Sequence, residues 1–433
     1  MQDRDHRTLL LLATHFYPSM TVAAVRWSSL ARALPGHGWR VVVLTRCYGS
    51  VAGDEGILDE FGPDVRVRYI DHPADGQPAP TGTNAGAGGR NAGVRRSAFS
   101  SLRVAAERLC FVPDPSVVFW RRARARLLDE ALSARPDIVA VSAPPWGKVG
   151  AAMGLAKRLG KPLVVDQRDP FLIDHRFGPY GLRSVHGRAL AALSARIYRE
   201  SSLVVHTIPI ESRWARLRYP EARPRIRALT NAFPLKMTGG GIEPMRDPAG
   251  RRSVRVVGAM GAEEMVHLAQ AVRALADKGL DVSLMLVGRT PATADRIEGV
   301  LGDRVQIVGK VPHERALSAI LGADVLVNYL DSDRRRSLLL STKLFEYVAA
   351  GKPVLEINPT RSDRHFVRRL PGVEVLSDPT LQELSSAIER ALNGSGTPVA
   401  EARERVLREG SWAAQAERLA GWLDDLAEGR PFS

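Results

Sequence analysis

Ser341-Thr342-Lys343, with Glu346 three positions further on, is the group of residues in this sequence best suited to binding chemistry. The spacing predicts a strand at Asp324–Asn328, a loop to Leu340, and a helix that starts near Thr342 and runs to Ala350. A helix N-terminus carries unpaired N–H groups and partial positive charge, a natural diphosphate site. Ser341 and Thr342 can cap it, and Lys343 adds a cation. Glu346 falls one turn in, on the same face, where a carboxylate can accept both hydroxyls of a ribose. Gly258-Ala259-Met260-Gly261 also follows a strand and opens a helix, so its backbone could approach a phosphate closely. Gly288-Arg289 ends the neighbouring strand, and Val311-Pro312-His313 precedes another helix. Asp331-Ser332-Asp333 has the D-x-D spacing of a divalent-metal ligand pair. Arg334-Arg335-Arg336 could help hold a diphosphate; a solvated loop is the favoured reading of the D-x-D, and a surface charge run that of the arginines.

The first half offers a different set. Asp169 follows a strand at Leu163–Asp166 and is the candidate base for a hydroxyl; an Asp-Pro turn start is its plain alternative. Arg168 could pair with Asp166 or with a substrate anion. His15 lies just past the first strand, where it could touch a phosphate or simply be a satisfied structural histidine.

The elements that must position these residues alternate between strands and helices. Leu9–Ala13, Arg40–Thr45, Val65–Ile70, Asp137–Ser142, Pro162–Asp166 and Leu203–Thr207 read as strands, with helices at Val22–Leu34 and Gly147–Leu159. In the second half the strands are Ser253–Val257, Asp281–Val287, Val305–Val308, Asp324–Asn328 and Pro353–Ile357. The helices there are Glu263–Lys278, His313–Leu321, Lys343–Ala350, Thr380–Asn393, Pro398–Glu409 and Trp412–Glu428. Continuous apolar strands alternating with helices argue an α/β fold of two doubly wound, Rossmann-like parallel sheets. The Gly/Pro-rich stretch Pro234–Gly250 separates them. Residues 73–96 are Gly-, Ala- and Pro-rich and read as a disordered loop. Basic amphipathic stretches follow at Ser97–Leu109 and Val117–Leu132.

Composition narrows the class. The 433 residues carry 61 Lys+Arg against 47 Asp+Glu, a net charge of +14. Only 8 of the basic residues are lysine and 53 are arginine. Residues 1–236 hold 35 basic and 20 acidic side chains, and residues 237–433 hold 26 and 27. The excess therefore belongs to one half, which points to different partners for the two. Two cysteines, Cys47 and Cys110, make neither a disulfide framework nor a four-cysteine zinc site. No apolar run reaches ~18 residues, so no transmembrane helix is expected, and the first residues fit a buried strand better than a signal peptide.

Several segments resemble glycosyltransferase family 4. They are His15-Phe16-Tyr17-Pro18 with Arg26, Gly38-Trp39 and Val41–Thr45; Ser142-Ala143-Pro144-Pro145-Trp146; Val165–Phe171, containing Arg168-Asp169-Pro170; Thr230-Asn231-Ala232; and, most specifically, Ser341–Val354. The resemblance runs from about Leu9 to Asn393. It implies a GT-B fold, with two Rossmann-like domains facing across a cleft. It assigns residues 1–236 to the acceptor, 237–410 to a nucleotide diphospho-sugar, and 411–433 to a helix crossing back to the first domain. Ser341, Thr342, Lys343, Leu344, Glu346, Gly258, Gly261, Gly288, Arg289 and Val311 would bind the donor. Arg26, Pro145, Trp146 and Arg168 would bind the acceptor, and Asp169 and His15 would be catalytic. Transfer without a metal or other cofactor, and with retention, is the expected chemistry.

Three departures stand out. Leu338 replaces the first Glu of the family's E-x7-E pattern, Glu263 and Glu264 stand where relatives often carry Arg and Lys, and Thr21–Ala24 replaces the glycines of the first turn. They leave open a catalytically altered sugar-nucleotide-binding subunit, beside a GT-B epimerase or hydrolase. The basic first half suits an anionic or lipid-linked acceptor, or peripheral contact with anionic lipid; no nucleic-acid recognition motif is present. A cytoplasmic chain, at the inner membrane face or free of it, is the matching expectation.

Overall fold

The computed structural model describes residues 6–17, 22–46, 61–70, 112–169, 185–233, 241–258, 261–288, 290–330, 341–359, 364–394 and 400–432. The chain forms two compact units, residues Met1–Thr230 with Gln415–Ser433, and Asn231–Ala414.

The first unit runs β1 (Arg7–Leu12), α1 (Val22–Ala33), β2 (Trp39–Thr45), β3 (Val65–Tyr69), α2 (Ser116–Arg122), α3 (Arg124–Ala134), β4 (Ile138–Ala143) and α4 (Val149–Leu159). It continues through β5 (Leu163–Gln167), α5 (Val185–Glu200), β6 (Leu203–His206), α6 (Pro209–Arg218) and β7 (Ile226–Ala228). The sheet order is β3-β2-β1-β4-β5-β6-β7, and every pairing is parallel. Leu9–Leu12 and Ile138–Val141 are fully buried. Helices on both faces require such uninterrupted apolar runs in central strands.

The second unit runs β8 (Arg252–Val257), α7 (Ala262–Asp277), β9 (Val282–Val287), α8 (Ala294–Leu301), β10 (Val305–Gly309), α9 (His313–Leu321), β11 (Val325–Tyr329) and α10 (Thr342–Ala350). Then come β12 (Val354–Ile357), α11 (Arg364–Val367), β13 (Val373–Leu376), α12 (Leu381–Leu392) and α13 (Ala400–Glu409). Its sheet is also wholly parallel, in the order β10-β9-β8-β11-β12-β13. Thr380 and Glu383 form a reciprocal capping box at the start of α12.

The last helix, α14 (Trp412–Ala427), belongs to the first unit from Gln415 onward. Asp424 on it accepts hydrogen bonds from Arg7 at 2.9 Å and from the Trp39 indole at 3.1 Å. The start of β1 and the start of β2 are thereby tied to the chain's last helix.

In each sheet the strand order reverses once, between β1 and β4 and between β8 and β11. Open parallel sheets hold ligands outside the carboxyl ends of the strands at such a switch point. Those two edges are where the sequence candidates gather. The basic amphipathic stretch Val117–Leu132 falls on two helices, α2 and α3, separated at Ala123 (φ −76°, ψ 0°). The loop read at 73–96 and the basic stretch Ser97–Leu109 lie outside the described residues.

Candidate functional site

In the second unit the candidates converge from three elements. Gly258 follows β8 with φ +110°. A Cβ there would stand 2.7 Å from Cε and 3.2 Å from Nζ of Lys343, so the lysine stem lies directly over this glycine. Gly288 follows β9 with φ +137°. A Cβ there would come within 2.4 Å of the Gly258 carbonyl oxygen. Only glycine permits these backbones to meet in these conformations. Tyr347, fully buried on α10, accepts a hydrogen bond from Val257 N at 2.8 Å and donates one to Val257 O at 3.2 Å. That pair pins the first turns of α10 to the end of β8.

Ser341 precedes α10 in an extended conformation, and the first turn of the helix carries no acidic residue. The early N–H groups and the Lys343 ammonium together make one electropositive edge. Glu346 follows one turn later, its side chain 28% exposed. Burial pushes its carboxyl up to about 7, and Lys343 acts in the opposite direction. His313 at the head of α9 brings Nε2 to 4.0 Å from Glu346 Oε1. Burial lowers this imidazole's pKa below its ordinary value. Val311, half-buried, leads into α9.

Leu344 and Gly261 make close contacts within the chain itself. The Leu344 side chain is fully buried and packs in the core cluster with Phe345, Tyr347 and Val348, so only its backbone can face a ligand. Gly261 caps α7, and a Cβ there would meet the Glu264 carboxylate at 2.1 Å. The close approach at this glycine is thus made by the chain's own carboxylate, which occupies the electropositive helix start. Arg289, Ala259, Met260, Asp331–Asp333, Arg334–Arg336 and Leu338 lie outside the described residues. Among the described residues no group of three or more His, Cys, Asp or Glu could hold a metal ion.

In the first unit the switch-point edge is built from the turns after β1, β4 and β5. His15 follows β1. Its imidazole is held down to about 4, first by burial, then by the charges of Arg168, Lys148 and Arg46. It is therefore neutral at pH 7 and can exchange hydrogen bonds but adds no charge. Lys148 is fully buried; its ammonium donates to Thr14 Oγ1 and to Pro145 O, both at 2.9 Å. Burial lowers its pKa well below the usual lysine range, with Arg168 adding to the effect. The lysine joins the turn after β1 to the turn after β4. Arg168 donates to Pro144 O, and its own carbonyl accepts from Thr207 Oγ1 at 2.7 Å. Asp169, half-buried, follows at the end of the described segment.

Arg26 and Trp146 are both buried within the first unit. The Arg26 side chain is 2% exposed. Its guanidinium grips Asp166 through Nη2 at 2.9 Å and Nε at 3.2 Å, and donates to Leu229 O and Thr230 O. Trp27 Nε1 and Ser142 Oγ complete the shell of Asp166 at 2.7 and 3.3 Å. Arg26 thus clamps α1, β4, β5 and the end of the first unit together, and Arg168 is not the partner of Asp166 in this shell. Trp146 is buried in the core, and its backbone N–H donates to Asp114 Oδ2 at 2.6 Å. Pro145 is half-buried and presents its carbonyl to Lys148.

Sequence reasoning missed Lys148, and it missed Glu356. The latter is a buried carboxylate at the end of β12 that accepts from Asn328 Nδ2 at 2.8 and 2.9 Å. A charged residue inside the apolar run VLEI was the available signal.

Residues 251–393 match the family described as Glycosyl transferases group 1. That match lies within the second unit; with it and two parallel-sheet units, the chain is a glycosyltransferase of GT-B fold. Three solved structures illustrate the fold. Sucrose-phosphate synthase from Thermosynechococcus elongatus is 16% identical with a TM-score of 0.66, covering 98% of this chain and 100% of that one. HepE from Anabaena, solved with UDP and glucose, is 14% identical with a TM-score of 0.58, covering 97% and 100%. A UDP-N-acetylglucosamine 2-epimerase from Listeria monocytogenes, described as putative, is 11% identical with a TM-score of 0.60, covering 98% of each chain. No curated protein matches the sequence.

Proposed function

We propose that this glycosyltransferase moves a sugar from a nucleotide diphospho-sugar to an acceptor hydroxyl. The observation that carries the donor half is the seat of Lys343 on Gly258, with Glu346 one helical turn away. The first N–H groups of α10 and the Lys343 ammonium receive the diphosphate, with Gly258 and Gly288 leaving room for it. Glu346 accepts the two ribose hydroxyls. The HepE structure, which holds UDP and glucose, supports a uridine nucleotide as the first donor to try.

Acceptor binding falls to the first unit, where Asp169 and His15 flank the β1 and β5 edges. In the transfer step the acceptor oxygen forms its bond to the anomeric carbon as the bond from that carbon to the diphosphate oxygen breaks. The nucleoside diphosphate leaves with the electron pair. With retention, the hydroxyl proton passes to the departing phosphate oxygen, and Asp169 orients the acceptor. With inversion, Asp169 takes the proton. The family 4 resemblance supports retention. Lys343 and the α10 N-terminus supply positive charge at the leaving group, which supports metal-independent transfer. A cytoplasmic enzyme acting on an anionic or lipid-linked acceptor, in contact with anionic membrane through its basic first half, fits the charge asymmetry.

A second reading, a sugar-nucleotide-binding subunit without transfer activity, is favoured by Glu264 at the start of α7. Melting curves with a panel of nucleoside diphosphates and their sugars test the donor site. At a ligand concentration 100 times Kd, stabilisation is about 2.7 kcal/mol. If no nucleotide shifts the melting temperature, the donor reading fails. Binding without turnover, across phosphorylated and lipid-linked acceptors, selects the second reading.

A further inference from the structure

Helix α6 presents a face that donor chemistry does not use. It is anchored inward by Glu211, Ser212 and Ala215, all buried. On its outer side Trp214 is 40% and Leu217 is 78% exposed. Three positions apart, they sit side by side on one helix surface. Arg213 lies one turn before Leu217, and Arg218 one turn after Trp214; both are exposed, as is Arg223 in the turn that follows. Arg218 rests on the Tyr219 ring at 5.5 Å. Among the described residues, Arg213 and Arg223 take part in no ion pair.

We propose that the Trp214–Leu217 face of α6 docks on an anionic lipid bilayer. An indole and an isobutyl group at the centre of an arginine rim form the amphipathic pattern that lies in a membrane interface, apolar groups among the acyl chains and cations at the headgroups. The first half of the chain, net +15 by its 35 basic and 20 acidic residues, adds long-range attraction to the same surface. A second copy of the chain fits less well. A two-fold contact here would set Arg213 and Arg218 against their own images. Two apolar side chains also fall far short of the roughly 800 Å² per partner of a stable interface. Among the described residues no helix is long and apolar enough to cross a membrane, so attachment by this face would be peripheral. The inference deepens the membrane-contact part of the function proposed above and stands apart from donor binding.

The test is co-sedimentation of the full chain with phosphatidylcholine vesicles, with and without phosphatidylglycerol, over a range of salt. Binding should require phosphatidylglycerol and weaken as salt rises. The Trp214→Ser, Leu217→Ser double variant should lose about tenfold in partitioning. Both side chains are exposed, so its melting temperature and its response to nucleoside diphosphates should match the wild type. Failure of the wild type to sediment with anionic vesicles overturns the proposal, as does equal binding by the double variant. So does a dimer in solution that the double variant abolishes while vesicles are ignored. A chain that binds nucleotide but not vesicles defeats this inference alone; one that binds vesicles but no nucleotide defeats the donor reading alone.

Discussion

The stem of Lys343 lies on the α-carbon of Gly258, so close that a methyl group there would stand 2.7 Å from Cε. One is the third residue of a helix-start motif, the other a glycine 85 positions earlier in the chain. Their contact unites two motifs, separately readable in sequence, in one diphosphate edge. Gly258→Ala should displace the lysine and strain a backbone at φ +110°. Weaker nucleoside diphosphate binding by about tenfold, by calorimetry, is the expected result, at a stability loss of about 1–3 kcal/mol. Unchanged affinity would remove Lys343 from the donor site.

Gly288→Ala should behave differently. The added methyl meets the Gly258 carbonyl at 2.4 Å, a backbone atom that cannot swing aside as a lysine tip can. The expected effect is a larger loss of stability than at Gly258, read from the denaturant midpoint, because two strand ends must separate. Equal midpoints for the two variants would contradict the close approach of the β8 and β9 turns.

Glu346 should make nucleotide affinity depend on pH. Its carboxyl is raised from 4.5 to about 7 by burial. The charged form accepts the ribose hydroxyls, so affinity should rise as pH increases through about 7 and level off above it. Without ligand the stability effect runs the other way. A carboxyl whose folded pKa is raised holds its proton more tightly when folded. Its stabilising contribution is complete below the unfolded value, near 4.5, and is lost as pH rises through about 7. Glu346→Gln should flatten both profiles and weaken binding at pH 8. A wild-type affinity flat from pH 6 to 8 would deny Glu346 its part.

What was legible in the sequence was local. The helix start at Ser341–Lys343, the glycine turn at Gly258 and the apolar runs of β1 and β4 all declare themselves within a few residues. Lys148 does not. In the tetrapeptide Trp146–Val149 it reads as a surface cation, and only the meeting of two loops from β1 and β4 buries it against Thr14 and Pro145. Glu264 was legible as a departure from its relatives but not as the group that folds back on Gly261. Short edge elements such as β7 and β13 carry too few residues for a period of two to emerge.

Lys148 yields a prediction that separates burial from charge. Lys148→Met keeps the stem and removes the ammonium, and should relieve part of the pressure that holds His15 at about 4. The His15 titration midpoint, followed by NMR, should move up. It should stay below 6.5, because burial is the largest cause of the depression and Arg168 remains. A midpoint that does not move would place the Lys148 charge too far away to act.

Arg26 and Asp166 are 140 residues apart in sequence and share one buried shell, a pairing no local pattern announces. Arg26→Ala leaves Asp166 without its cation beside Trp27 and Ser142. Breaking a buried pair by removing one member costs about 3–5 kcal/mol. Arg26→Lys should recover only part of that loss, since an ammonium cannot grip the carboxylate through Nε and Nη2 and also reach Leu229 O and Thr230 O. Urea unfolding of the two variants gives the comparison. If Arg26→Ala instead keeps full stability and loses only acceptor binding, the arginine belongs to the substrate, as the family 4 resemblance implied.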